Sequence, residues 1–165
     1  MAQHNGAIFH AAVSILQKLD SVQKNFLDEL DVSESTAFLK CNFAPPKLRR
    51  NIGILGLLHK RVLGKAHPIF QRLLPFHKDV FGSLRRGEHD RQLYNHILDV
   101  ERQHSLHDRS IFASVYVYNK LPQHAVECKD VPSFQSVLTQ MVQESCKNGD
   151  TDWHNMFQVR HRQFH

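Results

Sequence analysis

Cations carry the densest chemistry in this chain. Lys47, Arg49 and Arg50 stand at one end of an apolar run, and Lys60, Arg61 and Lys65 at the other. Arg85 and Arg86 follow in a stretch that also holds Gly82, Ser83 and Gly87. Lys and Arg at this density are suited to donating to phosphate oxygens without reading base sequence. Residues 44–91 hold eleven Lys/Arg against three acids, whereas 1–43 and 92–165 are slightly acidic. The basic excess behind the formal charge of +5 therefore sits in the middle third. Such a block is the usual footprint of a polyanion partner. The eight cations are thus candidate nucleic-acid contacts. The plainer alternative is a core helix whose long side chains carry charge to water at both ends.

Other chemistries have weaker sequence support. His104 and His107 are three apart, and His161 and His165 four apart, so each pair can share a helical face. Neither has a cysteine beside it, and no HExxH or CxxC occurs, so no metal or cofactor is expected. Cys41, Cys128 and Cys146 are spread along the chain and odd in number, which is no disulfide framework. A cysteine beside a histidine could make a nucleophilic pair in a small hydrolase. The spacing brings no such pair together, and a buried small hydrophobe is the plainer role. His59 reads as a hydrogen-bonded core or boundary residue. Asp150 and Asp152 could hold a divalent cation, but capping the last segment is the simpler use. Tyr116 and Tyr118 near Arg109 could stack on bases, though core packing accounts for them better. No GxGxxG, GKS/T or GxSxG pattern is present.

The elements that must position these groups follow from periodicity. Leu48, Ile52, Leu55, Leu58 and Val62 recur at helical steps, with Ile54, Leu57 and Leu63 off the stripe. That predicts a central, largely buried helix over about 47–63, opened by Pro46 and closed by Gly64. Gly53 and Gly56 weaken it by roughly 1 kcal/mol each, which implies close approach of a neighbour. Ala7 to Leu30 reads as helix, either single or restarting at Asp20 with Gln23 in a capping box. Ser33 caps a short helix to about Cys41. His67-Pro68 starts another, ended by Pro75. Residues 76–92 read as an exposed basic loop. Leu93 to Val100 fits helix slightly better than strand.

Ile111 to Tyr118, IFASVYVY, is ambiguous. Its β-branched and aromatic residues favour a short extended segment, yet Phe112, Val115, Tyr116 and Asn119 share a helical face. Asp130 and Pro132 announce a helix with a stripe of Phe134, Val137, Leu138, Met141 and Val142, ended by Asn148-Gly149. A last short helix is expected around Trp153, Met156 and Phe157. The fold expected is mainly α, a single domain of six to eight helices spanning 1–165.

Composition agrees with an ordinary globular chain: 165 residues, 41% hydrophobic and 22% charged. No apolar run reaches a membrane span and no secretory leader is evident, so an intracellular, reducing site without membrane contact is expected.

Three stretches resemble a known family. LDSVQKNFLDEL (Leu19 to Leu30) is followed by NFAPPKLRRNIGILGLLHKRVLG (Asn42 to Gly64), then by DRSIFASVYVYNKLPQHAVECKDVPSFQSVLTQM (Asp108 to Met141). This order is similar to the C-terminal part of non-LTR (LINE-type, jockey-like) retrotransposon reverse transcriptase polyproteins. There an LxxVQxxFL helix, an APLxxRRxxxxLxLLHK helix and a closing RSxF…YNxLPxxVV…FxxxL segment follow the polymerase fingers and palm. Pro46 departs from the family's usual leucine, and the tail after Gly149 has no match. The resemblance implies a post-palm, thumb-like unit over 1–75, the loop of 76–92, and a C-terminal helical segment over 93–165. It implies contact with the template–primer backbone, RNA or an RNA–DNA hybrid, and docking on the polymerase core of the parent polyprotein. RNA-directed DNA polymerase chemistry needs paired metal-binding carboxylates. No adjacent Asp-Asp occurs here, so the segment is not expected to be an enzyme by itself. The rival expectation is a helical interaction module with exposed apolar residues on Ile8 to Leu30, or an inert truncated remnant.

Overall fold

The computed structural model describes residues 13–82, 89–95 and 111–158. Among them are eight α-helices, one 3₁₀ turn and no strand. The mainly helical architecture expected from the sequence is the one observed. The helices are α1 (Val13–Glu29), α2 (Glu34–Cys41), α3 (Pro46–Val62), α4 (Pro68–Leu73), α5 (His77–Phe81), α6 (Ile111–Tyr118), α7 (Gln123–Val126) and α8 (Val131–Lys147). The 3₁₀ turn is Trp153–Asn155.

Helix α3 is the hub. It packs against α8, α6, α1 and the 3₁₀ turn. Leu48, Ile52, Leu55 and Leu58 are buried along its stripe, and Ile54 beside them. Pro46 opens the helix where a missing N–H leaves nothing unpaired, and Gly64 leaves it at φ 72°, a left-handed geometry glycine adopts without strain. The two internal glycines differ. A Cβ at Gly56 would meet Val131 Cγ1 at 3.2 Å and drive into the Gln135 amide, so α8 approaches there. Nothing lies within 4 Å of a Cβ at Gly53.

Local capping sets the neighbours. Ser33 Oγ accepts from the Thr36 amide at 3.1 Å and starts α2, which ends at Asn42 in the left-handed region. Asp130 accepts from the Ser133 amide at 2.8 Å and starts α8, which terminates before Gly149 at φ 80°. Phe134, Leu138 and Val142 are its fully buried stripe. Trp153 stacks on Phe38 at 5.1 Å, closing the lower end of the core.

Three expectations change. The extended alternative at 111–118 gives way to helix α6: Ala113, Val115 and Tyr118 are buried, and α6 packs on α3. With no strand partner among the described residues, a helix satisfies the backbone by itself, and packing overrides propensity. The loop expected at 76–92 is helical at its first described end, where 78–82 are exposed as expected, and buried at its second. Residues 77–81 form α5, capped by Gly82, and His89 and Gln92 are buried. Phe76 bridges Leu93, with the His77 amide donating to Gln92 O and the Tyr94 amide to Pro75 O, so Leu93 lies in neither helix nor strand. Third, α1 runs through Asp20 without restarting, because Asp20 and Gln23 are occupied with α3 and the segment before it.

Candidate nucleic-acid interface

The cations at the start of α3 have internal partners. Arg50, 9% exposed, forms a two-pronged ion pair with Asp20 of α1, both N···O distances 2.7 Å. Arg49 donates to Gln23 Oε1 at 3.0 Å and lies over the Phe43 ring. Gln23 in turn donates to Ala44 O at 3.2 Å, tying α1 to the turn that feeds α3. Lys47 donates to Asn155 Oδ1 and Gln158 Oε1 at 3.0 and 2.8 Å. A helix start repels positive charge, and each of these three cations is matched by an acceptor from elsewhere in the chain.

The other end is arranged differently. Arg61, 6% exposed, donates through Nε to Leu74 O at 2.8 Å and sits 4.3 Å over the Phe76 ring. Burial draws its pKa down, though a guanidinium stays charged. Lys60 and Lys65 are exposed. Lys65 Nζ reaches Lys129 O at 3.3 Å, and Lys78 Nζ lies 5.6 Å from the centroid of the Phe76 ring. Exposed Lys60, Lys65 and Lys78 are cations near this end, with Asp79 and Asp130 as acids there and Arg91 acting on His59 beneath.

Arg50 and Arg61 are therefore corrected from candidate phosphate contacts to interior residues. Their stems do not reach water because Asp20, Leu74 and Phe76 hold them. Lys47 and Arg49 are half-buried and bonded. Lys60 and Lys65 remain at the surface. Arg85 and Arg86 lie outside the described residues, as do His104, His107, Arg109, His161 and His165.

Beneath Lys60 lies a buried polar chain. His59 is fully buried, with Nε2 2.9 Å from Cys128 O and Nδ1 3.0 Å from the Tyr118 hydroxyl. A carbonyl only accepts, so Nε2 carries the proton, and the Tyr118 hydroxyl donates to Nδ1. The ring stacks on Phe134 at 4.1 Å. Burial lowers the His59 pKa; the carbonyl partner opposes this, and Arg91 and Lys65 add to it. Burial raises that of Tyr118. This is a neutral, fixed imidazole rather than a proton shuttle. Asn119 clamps the backbone of Leu93, accepting from its amide at 2.9 Å and donating to its carbonyl at 2.8 Å.

The other candidates resolve simply. Cys128 meets His59 through its carbonyl, while its thiol points to His124 O at 3.9 Å and burial raises its pKa. That is not the geometry of an activated nucleophile. Asp150 accepts from Ser145 Oγ and the Asp152 amide, fixing the turn after α8. Among the described residues no group of three His, Cys, Asp or Glu could hold a metal. Tyr118 is core, and Tyr116 is half-buried under Lys120. An open cleft of about 440 Å³ lies between α1, the start of α2 and the 3₁₀ turn, lined by Lys24, Asp28, Ser33, Glu34, Trp153 and His154. Its mixed charges define no ligand.

Sequence reasoning missed the tethers Asp20, Gln23 and Asn119. One signal was available: Gln23 lies one helical turn before Leu27, so it faces the buried side of α1. No family model, no curated protein and no solved structure matches this chain. No helix among the described residues is long and apolar enough to cross a membrane.

Proposed function

We propose that this chain is the non-catalytic C-terminal helical segment of a non-LTR retrotransposon reverse transcriptase, holding nucleic-acid backbone with the exposed lysines at the end of α3. One observation carries the reading. Several residues that carry the family resemblance bond to one another across the fold. Gln23 of the first stretch meets Arg49 of the second, and His59 of the LLHK stretch meets Tyr118 of the third; Asp20, at a variable position of the first stretch, meets Arg50. His59 also stacks on Phe134 of that stretch. A pattern spread over distant positions thus has a physical reason to occur together: it wires one helical unit. The lysines left at the surface, Lys60 and Lys65, supply sequence-independent phosphate contacts.

The test is a titration of the folded chain into a labelled RNA–DNA hybrid, read by fluorescence anisotropy at low and moderate salt. The reading requires binding that collapses as salt rises. The Lys60→Ala/Lys65→Ala variant should flatten that salt dependence, whereas Lys47→Ala should leave it nearly unchanged. Absence of binding at low salt by folded protein rejects backbone gripping.

A second reading, a helical interaction module, is favoured by a separate observation. Ile15, Leu19, Val22, Phe26 and Leu30 are all exposed along α1 and its end.

A further inference from the structure

Helix α1 has two apolar margins. Leu27 and Gln23 face the core and are buried. The second margin is exposed: Ile15 54%, Leu19 47%, Val22 67%, Phe26 50% and Leu30 55%. These five recur at three- and four-residue steps, so they form one continuous stripe. Phe26 makes an edge contact with Phe43 at 6.4 Å but keeps half its surface free. Single exposed apolar residues are ordinary; a contiguous row of five large ones marks an interface.

The stripe reads nearly the same from either end. Val22 is its middle, Leu19 and Phe26 lie one turn to each side, and Ile15 and Leu30 two turns. The flanking charges are opposite at the two ends. Lys18 flanks the stripe toward the start of α1 and Glu29 at its end, both exposed. A parallel neighbour of the same sequence would set Lys18 against Lys18 and Glu29 against Glu29. An antiparallel one brings Lys18 near Glu29, and places Val22 beside Val22. Self-complementarity of this kind is what a two-fold contact requires, residue i meeting j while j meets i.

We propose that α1 is the pairing helix of a homodimer, two copies of this chain associating antiparallel about a two-fold axis near Val22. The proposal rests on the interaction-module reading and is independent of phosphate gripping. The charges fix orientation while the apolar row supplies affinity. A single helix face lies near the lower limit for a stable interface, about 1,000 Å² in total, so the dimer is a weak, concentration-dependent one.

The experiment is sedimentation equilibrium of the full chain from low micromolar to several hundred micromolar, with Val22→Lys and Lys18→Glu alongside. Wild type should move from monomer to dimer. Val22→Lys, at a side chain already two-thirds in water, should keep its melting curve and weaken association roughly tenfold or more. Lys18→Glu should weaken it less, with recovery on adding Glu29→Lys. In a Cys41→Ser background, Val22→Cys should oxidise to a covalent dimer and Ile15→Cys should not. A dimer whose Ile15→Cys variant cross-links as fast as Val22→Cys is parallel, and overturns the proposal. A monomer at every concentration also overturns it, leaving the stripe to a different polypeptide such as a polymerase core. The interaction-module reading itself fails if Val22→Lys changes no association of the chain with itself or with such a core.

Discussion

The two ends of α3 look alike as sequence and behave differently as structure. At the start, Lys47, Arg49 and Arg50 are bonded to residues from α1 and from the segment after α8. At the finish, Arg61 turns inward to Leu74 O while Lys60 and Lys65 stay in water. The helix dipole explains part of the difference. Positive charge near the first turn is opposed by the field of the helix, so it persists where an acceptor offsets it; near the last turn the same charge is favoured without one. A cluster of cations is thus not a surface until their partners are known. The end with fewer internal partners is the one free to meet a polyanion.

Substitutions can break this contrast. The largest effect is expected for His59→Ala under the finish of α3. It opens a cavity against Phe134 and leaves Tyr118 Oη and Cys128 O without their partner, costing about 3–4 kcal/mol in urea unfolding. A loss below about 1 kcal/mol would mean that the polar chain is not what secures that end. Asp20→Ala at the start strands the Arg50 guanidinium. Because Asp20 keeps 29% of its surface in water, the cost should be nearer about 2 kcal/mol than the roughly 3–5 of a fully buried pair. If Asp20→Ala proves the costlier of the two, the order of the ends reverses.

Acidity separates the ends more gently. The His59 pKa in the fold is below its ordinary 6.5. The unfolded chain therefore takes up that proton first as pH falls, and stability is lost below 6.5 but complete above it. Comparing His59→Gln with wild type across about pH 5 to 8 isolates this contribution from the other histidines. The two should converge on the acid side; a gap that stays constant would refute a neutral, buried His59. The smallest effect tests the middle of the helix. Gly53→Ala should stabilise by roughly 0.5–1 kcal/mol, since its Cβ meets nothing. Gly56→Ala should gain less or lose, because Val131 and Gln135 must shift. Equal gains at both would mean that α8 does not approach Gly56 as closely as the Val131 contact implies.

How legible this was in the sequence varies by element. The bounds of α3 and α8 were readable because Pro46, Gly64, Asp130 and Gly149 each impose a local geometry that needs no tertiary context. Helix α6 was not, since Val115, Val117 and Tyr118 favour a strand in isolation and become helical by burial against α3. The loss of Arg50 and Arg61 from the surface was unreadable for the same reason. Their partners, Asp20, Leu74 and Phe76, come from other parts of the chain, and nothing in the neighbouring letters distinguishes Arg61 from Lys60. The exposed row on α1 was legible only as a condition of the rival reading. Periodicity shows that a stripe exists; it does not say on which side the core lies.

The enclosed hydroxyl of Tyr118 has one further consequence. A phenolic proton in water departs within a fraction of a millisecond or faster, too quickly for a separate magnetic resonance signal. Held against His59 Nδ1 in a fully buried ring, it can leave only when the helices part. Its rate of replacement by deuterium is therefore a clock inside the fold, timing how often α3 and α6 come apart at His59.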